Sequence, residues 1–221
     1  MMKCHSKTVA LPLRLKDFPG FSLEDLKGLK NYYQTQLNRH SSPEKRVGWK
    51  TAASQKIRFE VLARVGSLKE AKILDVGCGL GAFWGYLQEK GIKARYTGID
   101  LFPEMVLGAR TLYPDAYFET RSILASPYPS RSFDYSFLSG VFNVKVQDNW
   151  AYMKAVLQQA LRSSRKAVAF NVLSSESGLR ESNRFMVTPR EIIKLGKELG
   201  ARRIRKVNLY HPHDLTLFLY R

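Results

Sequence analysis

Cysteine is nearly absent from this chain: 221 residues carry two, Cys4 and Cys78. Two cysteines cannot build the disulfide framework of a small secreted domain, so a reducing compartment is the default. Long apolar runs are also missing, and nothing approaches the roughly 20 residues that span a bilayer. The start, M-M-K-C-H-S-K-T-V-A-L-P-L-R-L-K, is interrupted by Pro12 and Arg14 before an apolar stretch of signal-peptide length can form. The expectation is a soluble cytoplasmic protein with no membrane partner. Acidic residues are scarce, 19 against 36 basic ones, for a net charge of +17. The imbalance lies in the flanks: residues 73–144 are close to neutral, while 1–72 and 145–221 are both strongly basic. Lysines and arginines are scattered through helical patterns rather than gathered in a tail. A basic surface still attracts polyanions, so RNA stays open as a partner.

The most informative stretch runs from Ile73 to Gly81, I-L-D-V-G-C-G-L-G, followed by the helix-compatible A-F-W-G-Y-L-Q-E-K. It reads as a buried strand, a tight turn free of side chains, and a helix start. Glycine serves where backbone takes a positive φ or approaches a ligand closely. About 20 residues on, Y-T-G-I-D ends a second apolar strand on Asp100, where an acidic residue can accept hydrogen bonds from both ribose hydroxyls. The pair points to an adenosine-type ligand. Gly77, Gly79 and Ala82 also satisfy the dinucleotide pattern G-x-G-x-x-G/A, which is weak alone. Asp75 discriminates: a carboxylate at the strand tip repels a pyrophosphate and suits a ligand carrying an ammonium group.

Beyond the glycine turn, strands and helices alternate. Strands are predicted at 71–76, 95–100, 116–119, 133–140, 167–173, 202–210 and 214–220, and helices at 23–37, 52–65, 82–90, 103–113, 148–163 and 189–199; Ser22 starts the first helix, with Glu24 and Asp25 in its first turn, and residues 40–49 read as a loop by composition. Such alternation argues for a parallel, doubly wound α/β sheet. The last two strands are joined through His211-Pro212-His213, a connection short enough to permit only antiparallel pairing.

The order D-V-G-C-G-x-G followed by G-I-D resembles the first two motifs of the class I S-adenosylmethionine-dependent methyltransferases. The segment F-D-Y-S-F-L-S-G-V-F-N-V-K, with G-W-x-x-x-x-x-x-Q-x-x-R-F upstream and K-A-V-A-F-N-V-L downstream, is similar to a small bacterial subfamily whose substrate is open. The resemblance implies a Rossmann-like, doubly wound, seven-stranded, mostly parallel sheet with an antiparallel C-terminal hairpin, occupying residues 49–221. Residues 1–48 are expected to form an N-terminal helical cap or lid. The resemblance implies S-adenosylmethionine as cofactor. Asp75 would face its methionine part, with Gly77, Cys78, Gly79 and Gly81 forming the turn. Asp100 would hold the ribose, and Leu101, Ser122, Ile123, Ser139 and Gly140 complete the cofactor-binding set. In the family an acidic residue commonly precedes the apolar one after the third strand; here Arg121-Ser122-Ile123 stands there, with serine addressing the adenine amino group.

The expected reaction is methyl transfer to a small molecule or a protein side chain, the alternative being an RNA methylase or a non-catalytic basic nucleic-acid binder. Methylases of base amino groups carry Pro-Pro-aromatic where Ser139 is followed by Gly-Val-Phe, and Cys4 and Cys78 are badly placed as nucleophiles. Metal ligands do not converge in the sequence, so none is expected. Substrate candidates are Asn143, Tyr33, Trp49 and Arg58, the last able either to meet the cofactor carboxylate or to anchor a helix by a salt bridge. Tyr32 and His40 lie with Tyr33 and Trp49 on the segment expected to close over the site, the alternative being helix packing for the tyrosines, a loop position for His40 and the core for Trp49; Gln55 and Phe59 match the subfamily pattern, and His211 and His213 read as structural.

Overall fold

A strand covered by helices on both faces has no polar face, and its sequence becomes a nearly continuous apolar run. The central strands here show that pattern. In a computed structural model, which describes residues 14–179, 181–208 and 210–221, the strands are β1 (Lys72–Val76), β2 (Arg95–Asp100), β3 (Tyr117–Thr120), β4 (Phe133–Leu138), β5 (Ser164–Ser174), β6 (Met186–Val187), β7 (Arg203–Val207) and β8 (Asp214–Tyr220). Cys4 and the first thirteen residues of the expected cap lie outside the described residues. The sheet runs β3-β2-β1-β4-β5-β8-β7, parallel through β5, with β8 antiparallel to both β5 and β7.

Seven strands were expected, and this path has seven. The eighth, β6, pairs with β5 at Leu173 and Ser174, beyond the end of β4. Two residues are too few to show any alternation, so no sequence pattern announces it. Two strand ends are also shorter than expected. β4 stops at Leu138 because Gly140 turns away at φ 76° and gives its N–H to the Asn171 side chain. β7 stops at Val207, where residue 210 was expected.

Helices α3 (Ala52–Leu62), α4 (Ala82–Glu89) and α5 (Pro103–Leu112) cover one side of the sheet, with Ile73, Tyr96 and Phe137 beneath them. Helices α6 (Asn149–Ser163) and α7 (Pro189–Glu198) cover the other, over Leu74, Val168 and Leu217. The N-terminal helix α1 (Leu23–Arg39) starts at the expected Ser22 with a full capping box, the Ser22 hydroxyl accepting from Asp25 N–H and the Asp25 carboxylate accepting from Ser22 N–H. The same Asp25 Oδ2 accepts from Gln147 N–H at 3.0 Å, tying the cap to the loop before α6. Phe18, Phe21 and Leu26 pack against Val146, and Leu29, Tyr33 and Leu37 against the Leu80–Phe102–Met105 cluster. A one-turn helix, α2 (Pro43–Arg46), sits in the segment expected to be loop. Among the described residues no helix is long and apolar enough to cross a membrane.

Gly81 opens α4 at φ 80°, and a Cβ there would stand 2.7 Å from the Phe118 ring on β3. Both the left-handed backbone and the close helix–strand approach demand glycine. Gly81→Ala is therefore expected to lower unfolding stability by about 2–4 kcal/mol, combining the left-handed penalty with overpacking. Urea unfolding checks this, and a loss below about 0.5 kcal/mol would show that neither constraint acts.

Candidate functional site

In open α/β sheets ligands bind outside the carboxyl ends of the strands, where the strand order switches direction. Here that place lies between β1 and β4, and a cleft opens there beneath α1. Its floor is the glycine turn. Gly77 and Cys78 donate their N–H groups to the Ile99 carbonyl at 2.8 and 3.0 Å, which holds the turn against the end of β2. Gly79 donates to Asp100 Oδ2 at 2.9 Å, and Phe102 N–H donates to Oδ1 at 3.0 Å. Each carboxylate oxygen of Asp100 thus has one fixed donor and lone-pair capacity left over. Burial pushes the Asp100 carboxyl up, opposed by these backbone N–H groups, which favour the charged form.

Asp75 lines the same cleft and is 3% exposed. The Tyr96 hydroxyl, on neighbouring β2, donates to Asp75 Oδ2 at 2.5 Å. Burial raises the Asp75 pKa to about 7, against the Tyr96 bond, which lowers it. Burial and the two aspartates drive the Cys78 thiol well above its ordinary range, so it is a poor nucleophile.

Leu101, Ser122 and Ile123 line the next part of the cleft. Ser122 is buried, and its Oγ accepts from the N–H groups of Leu124 and Ala125 at 3.2 and 3.1 Å. Both hydroxyl lone pairs are then engaged in the turn, and what Ser122 offers a ligand is its O–H as a donor. Ser139 and Gly140 form the far wall. Asn171 on β5 braces them, its Oδ1 accepting from Gly140 N–H at 2.8 Å and its Nδ2 donating to Ser139 Oγ at 3.4 Å.

The expected substrate residues divide. Tyr33, Trp49 and Asn143 all line the cleft, together with Tyr32, Gln55 and Phe59. Among the described residues the buried Asn143 Oδ1 has no hydrogen-bond partner, a costly state unless a ligand supplies a donor. The Tyr33 ring packs against Phe102 at 5.6 Å, and burial raises its hydroxyl pKa. Trp49 stacks on the bare face of Gly140, where a Cβ would come within 2.9 Å of the indole.

Two expected site residues stand elsewhere. Gly81 does not line the cleft; its role is the helix–strand contact already described. Arg58 does not line it either. Its guanidinium lies over the Trp49 ring at 4.4 Å and forms an ion pair with Asp214 at 2.5 Å. Both partners are buried, the arrangement expected of a helix anchor. His211 Nδ1 stands 2.8 Å from the same Asp214 oxygen. Burial and Arg58 lower its pKa, and the same Nδ1 stands 3.3 Å from Arg58 Nη2. His40 caps the end of α1 and does not line the cleft.

Sequence reasoning missed Tyr96, Asn171, Tyr152 and Arg184, of which the last two line the cleft. Asn171 left a signal as the one polar residue inside A-V-A-F-N-V-L. Arg184 left none; a bridge between Val144 and Arg184 brings its loop alongside Asn143. Among the described residues no group of three or more His, Cys, Asp or Glu is placed to hold a metal ion.

The comparisons agree with this geometry. A family model described as a methyltransferase domain matches residues 73–166, from β1 into β5. A Mycobacterium tuberculosis protein named as a methyltransferase is 31% identical over 156 residues, covering 66% of this chain and 91% of the relative. The trans-aconitate 2-methyltransferase of Escherichia coli is 31% identical over 123 residues, 45% of this chain, which spans 48% of that protein. In fold, the chain is similar to magnesium protoporphyrin IX methyltransferase from Synechocystis, solved with bound S-adenosylmethionine, at a TM-score of 0.63, 15% identity, and coverage of 90% and 98% of the two chains. The class is thus that of Rossmann-like methyltransferases. This chain belongs to the class I S-adenosylmethionine-dependent methyltransferase family.

Removing Asp214 while keeping Arg58 would leave a buried charge without its partner, a change that costs about 3–5 kcal/mol. Asp214→Ala is expected to lose that much in urea unfolding, and the double variant Arg58→Met, Asp214→Leu to regain most of it. A single variant as stable as the parent would refute the anchoring role.

Proposed function

We propose that the cleft holds S-adenosylmethionine along the carboxyl ends of β1, β2 and β4, and receives a small organic acceptor between Asn143 and the cap. The observation that carries this reading is the Asp100 carboxylate, held by two backbone donors beside a glycine turn and in the same cleft as an unpartnered Asn143 carbonyl. The cleft fits the cofactor by its donor set. A Cβ at Gly77 would meet Val141 at 2.8 Å and one at Gly79 would meet Val47 at 3.0 Å, so the turn stays bare where a ligand must lie close. Asp100 would take the ribose hydroxyls with its remaining lone pairs. Leu101 and Ile123 would supply apolar faces for the adenine, and the Ser122 O–H would donate to a ring nitrogen rather than accept from the amino group. Asp75 would oppose the cationic methionine end.

When bound, the cofactor supplies a methyl group already activated by a sulfonium, which an acceptor nucleophile displaces in line. The chain's own task is then to position the acceptor and exclude water. Asn143 Oδ1 would accept from the N–H or O–H of the acceptor, orienting its nucleophilic atom. Phe18, Tyr32, Tyr33 and Trp49 would enclose its apolar body, with Arg184, paired to Glu181 at 3.1 Å, at the margin of that end. The cap, residues 1–48, would serve as the roof of the acceptor site. This enclosure by aromatic rings favours a small molecule over an RNA strand.

The first test uses cofactor binding. Asp100→Ala is expected to weaken S-adenosylhomocysteine binding more than tenfold, because hydrogen bonds to a charged group are worth roughly 1.5–3 kcal/mol each; Ser122→Ala should fall well short of that. Equal losses at the two positions in calorimetry would show that the ribose lies elsewhere. Asn143→Ala should keep cofactor affinity and lose transfer of labelled methyl to an acceptor found by screening small-molecule pools.

The second test concerns pH. The folded-state pKa of Asp75, about 7, lies above its ordinary value of 3.8. Its contribution to stability is therefore complete below about pH 4 and is lost as pH rises through 7. A cationic ligand end beside it would favour the carboxylate, so binding S-adenosylmethionine near pH 6.5 should release protons. Calorimetry in buffers of different ionisation enthalpy measures that release, which Asp75→Asn should abolish. Release that persists in Asp75→Asn would assign the titration to another group.

A further inference from the structure

The opposite end of the sheet, at the amino ends of its parallel strands, gathers a second set of side chains. Arg131 sits just before β4, Arg165 is the second residue of β5, Arg202 immediately precedes β7, and Arg221 follows β8; with Gly200 they line one depression. Topology brings them together, because β4, β5, β8 and β7 are consecutive in the sheet. Two backbone bonds hold the ends in place: Arg202 N–H donates to Tyr220 O at 2.9 Å and Arg221 N–H to Lys166 O at 3.0 Å. None of the four lines the methyltransferase cleft.

Among the described residues no Asp or Glu side chain lines the depression, and none of the four guanidinium groups has a carboxylate within ion-pair distance. One is preset: Arg221 Nη1 donates to the carbonyls of Leu161, Arg162 and Ser164 at 3.4, 3.1 and 3.1 Å. Another stands on unusual backbone, Arg131 at φ 58°, held there by a bond from its N–H to Arg162 O at 2.9 Å. A non-glycine residue in the left-handed region persists only when its surroundings impose it. Four like charges around one concavity repel each other, and an anion seated among them relieves that repulsion. Guanidinium forks match phosphate oxygens two at a time.

We propose that this depression binds a small anion carrying two or more phosphate groups, at a site distinct from the methyl-transfer cleft. Concavity favours a compact ligand over a nucleic-acid strand, which would need the positive surface to continue as a track.

Inorganic tripolyphosphate is the probe, titrated into the full chain by calorimetry at two salt concentrations. The expected result is saturable binding that weakens with salt, and a further loss of roughly tenfold or more in the double variant Arg165→Gln, Arg202→Gln. Arg165→Lys should lie between, because it keeps the charge and loses the fork. The thermal unfolding midpoint of the double variant should match the parent, showing that the fold is intact. Absence of saturable binding, or binding that the double variant leaves unchanged, overturns the proposal. Binding of a single-stranded RNA oligomer without tripolyphosphate binding also overturns it, and assigns the face to nucleic acid.

Discussion

The carboxylate of Asp100 is the constraint on which the cleft depends. It ends β2, receives Gly79 N–H from the glycine turn after β1, and receives Phe102 N–H from the segment that starts α5. One side chain thereby ties two adjacent strand ends and a helix start to each other. The tie works because the β1–β2 register places Val76 opposite Ile99, so the turn leaves β1 beside the Ile99 carbonyl and Asp100. A buried carboxylate is tolerated only where donors meet it, and here backbone supplies them. The donors belong to rigid elements, so the oxygens are held in place before any ligand arrives.

Around that fixed point the cleft is assembled from parts far apart in the chain. Asn171, at the centre of β5, reaches across to Gly140 and Ser139 at the end of β4. Arg58 in α3, paired with Asp214 at the start of β8, lies over the Trp49 ring, which also meets the bare face of Gly140. A buried ion pair contributes little net stability when compared with apolar packing, yet each partner is costly to leave alone. Its value here is geometric. It holds the indole against a glycine that has no side chain to resist it. The cap is joined to the same end of the sheet by Asp25 and by the packing of Phe18, Phe21 and Tyr33.

Much of the fold and part of the cleft were legible in the sequence, for reasons that lie in local physics. Parallel strands buried on both faces must be apolar throughout, helices show a longer period, and glycine marks turns of positive φ. The run from Ile73 to Gly81 therefore declared a strand, a turn and a helix in order, and Asp75 and Asp100 stood out as carboxylates at apolar strand ends. Ser22 as a helix start was equally readable, because a capping box spans three residues. What failed to show had no local period. β6 has two residues, and α2 is a single turn in polar sequence. The partner of Arg58 lies beyond any window in which a pattern can be seen, so the two readings of that residue were indistinguishable until Asp214 was placed beside it.

The amino-acid sequence by itself thus determined the class of fold, the glycine turn at the floor of the cleft, and the acidic residues at the strand ends, since each follows from neighbours within a few positions. Tertiary structure alone decided that Gly81 serves packing and not the cleft, that Tyr96 donates to Asp75, and that Ser122 spends its lone pairs on its own turn. It alone brought Asn143 and Arg184 to one cleft and four arginines to one depression at the far end of the sheet. The physical reason is the same in each case: strand order, set by which apolar faces pack together, chooses the neighbours of a side chain, and that choice is written in no single stretch of the chain.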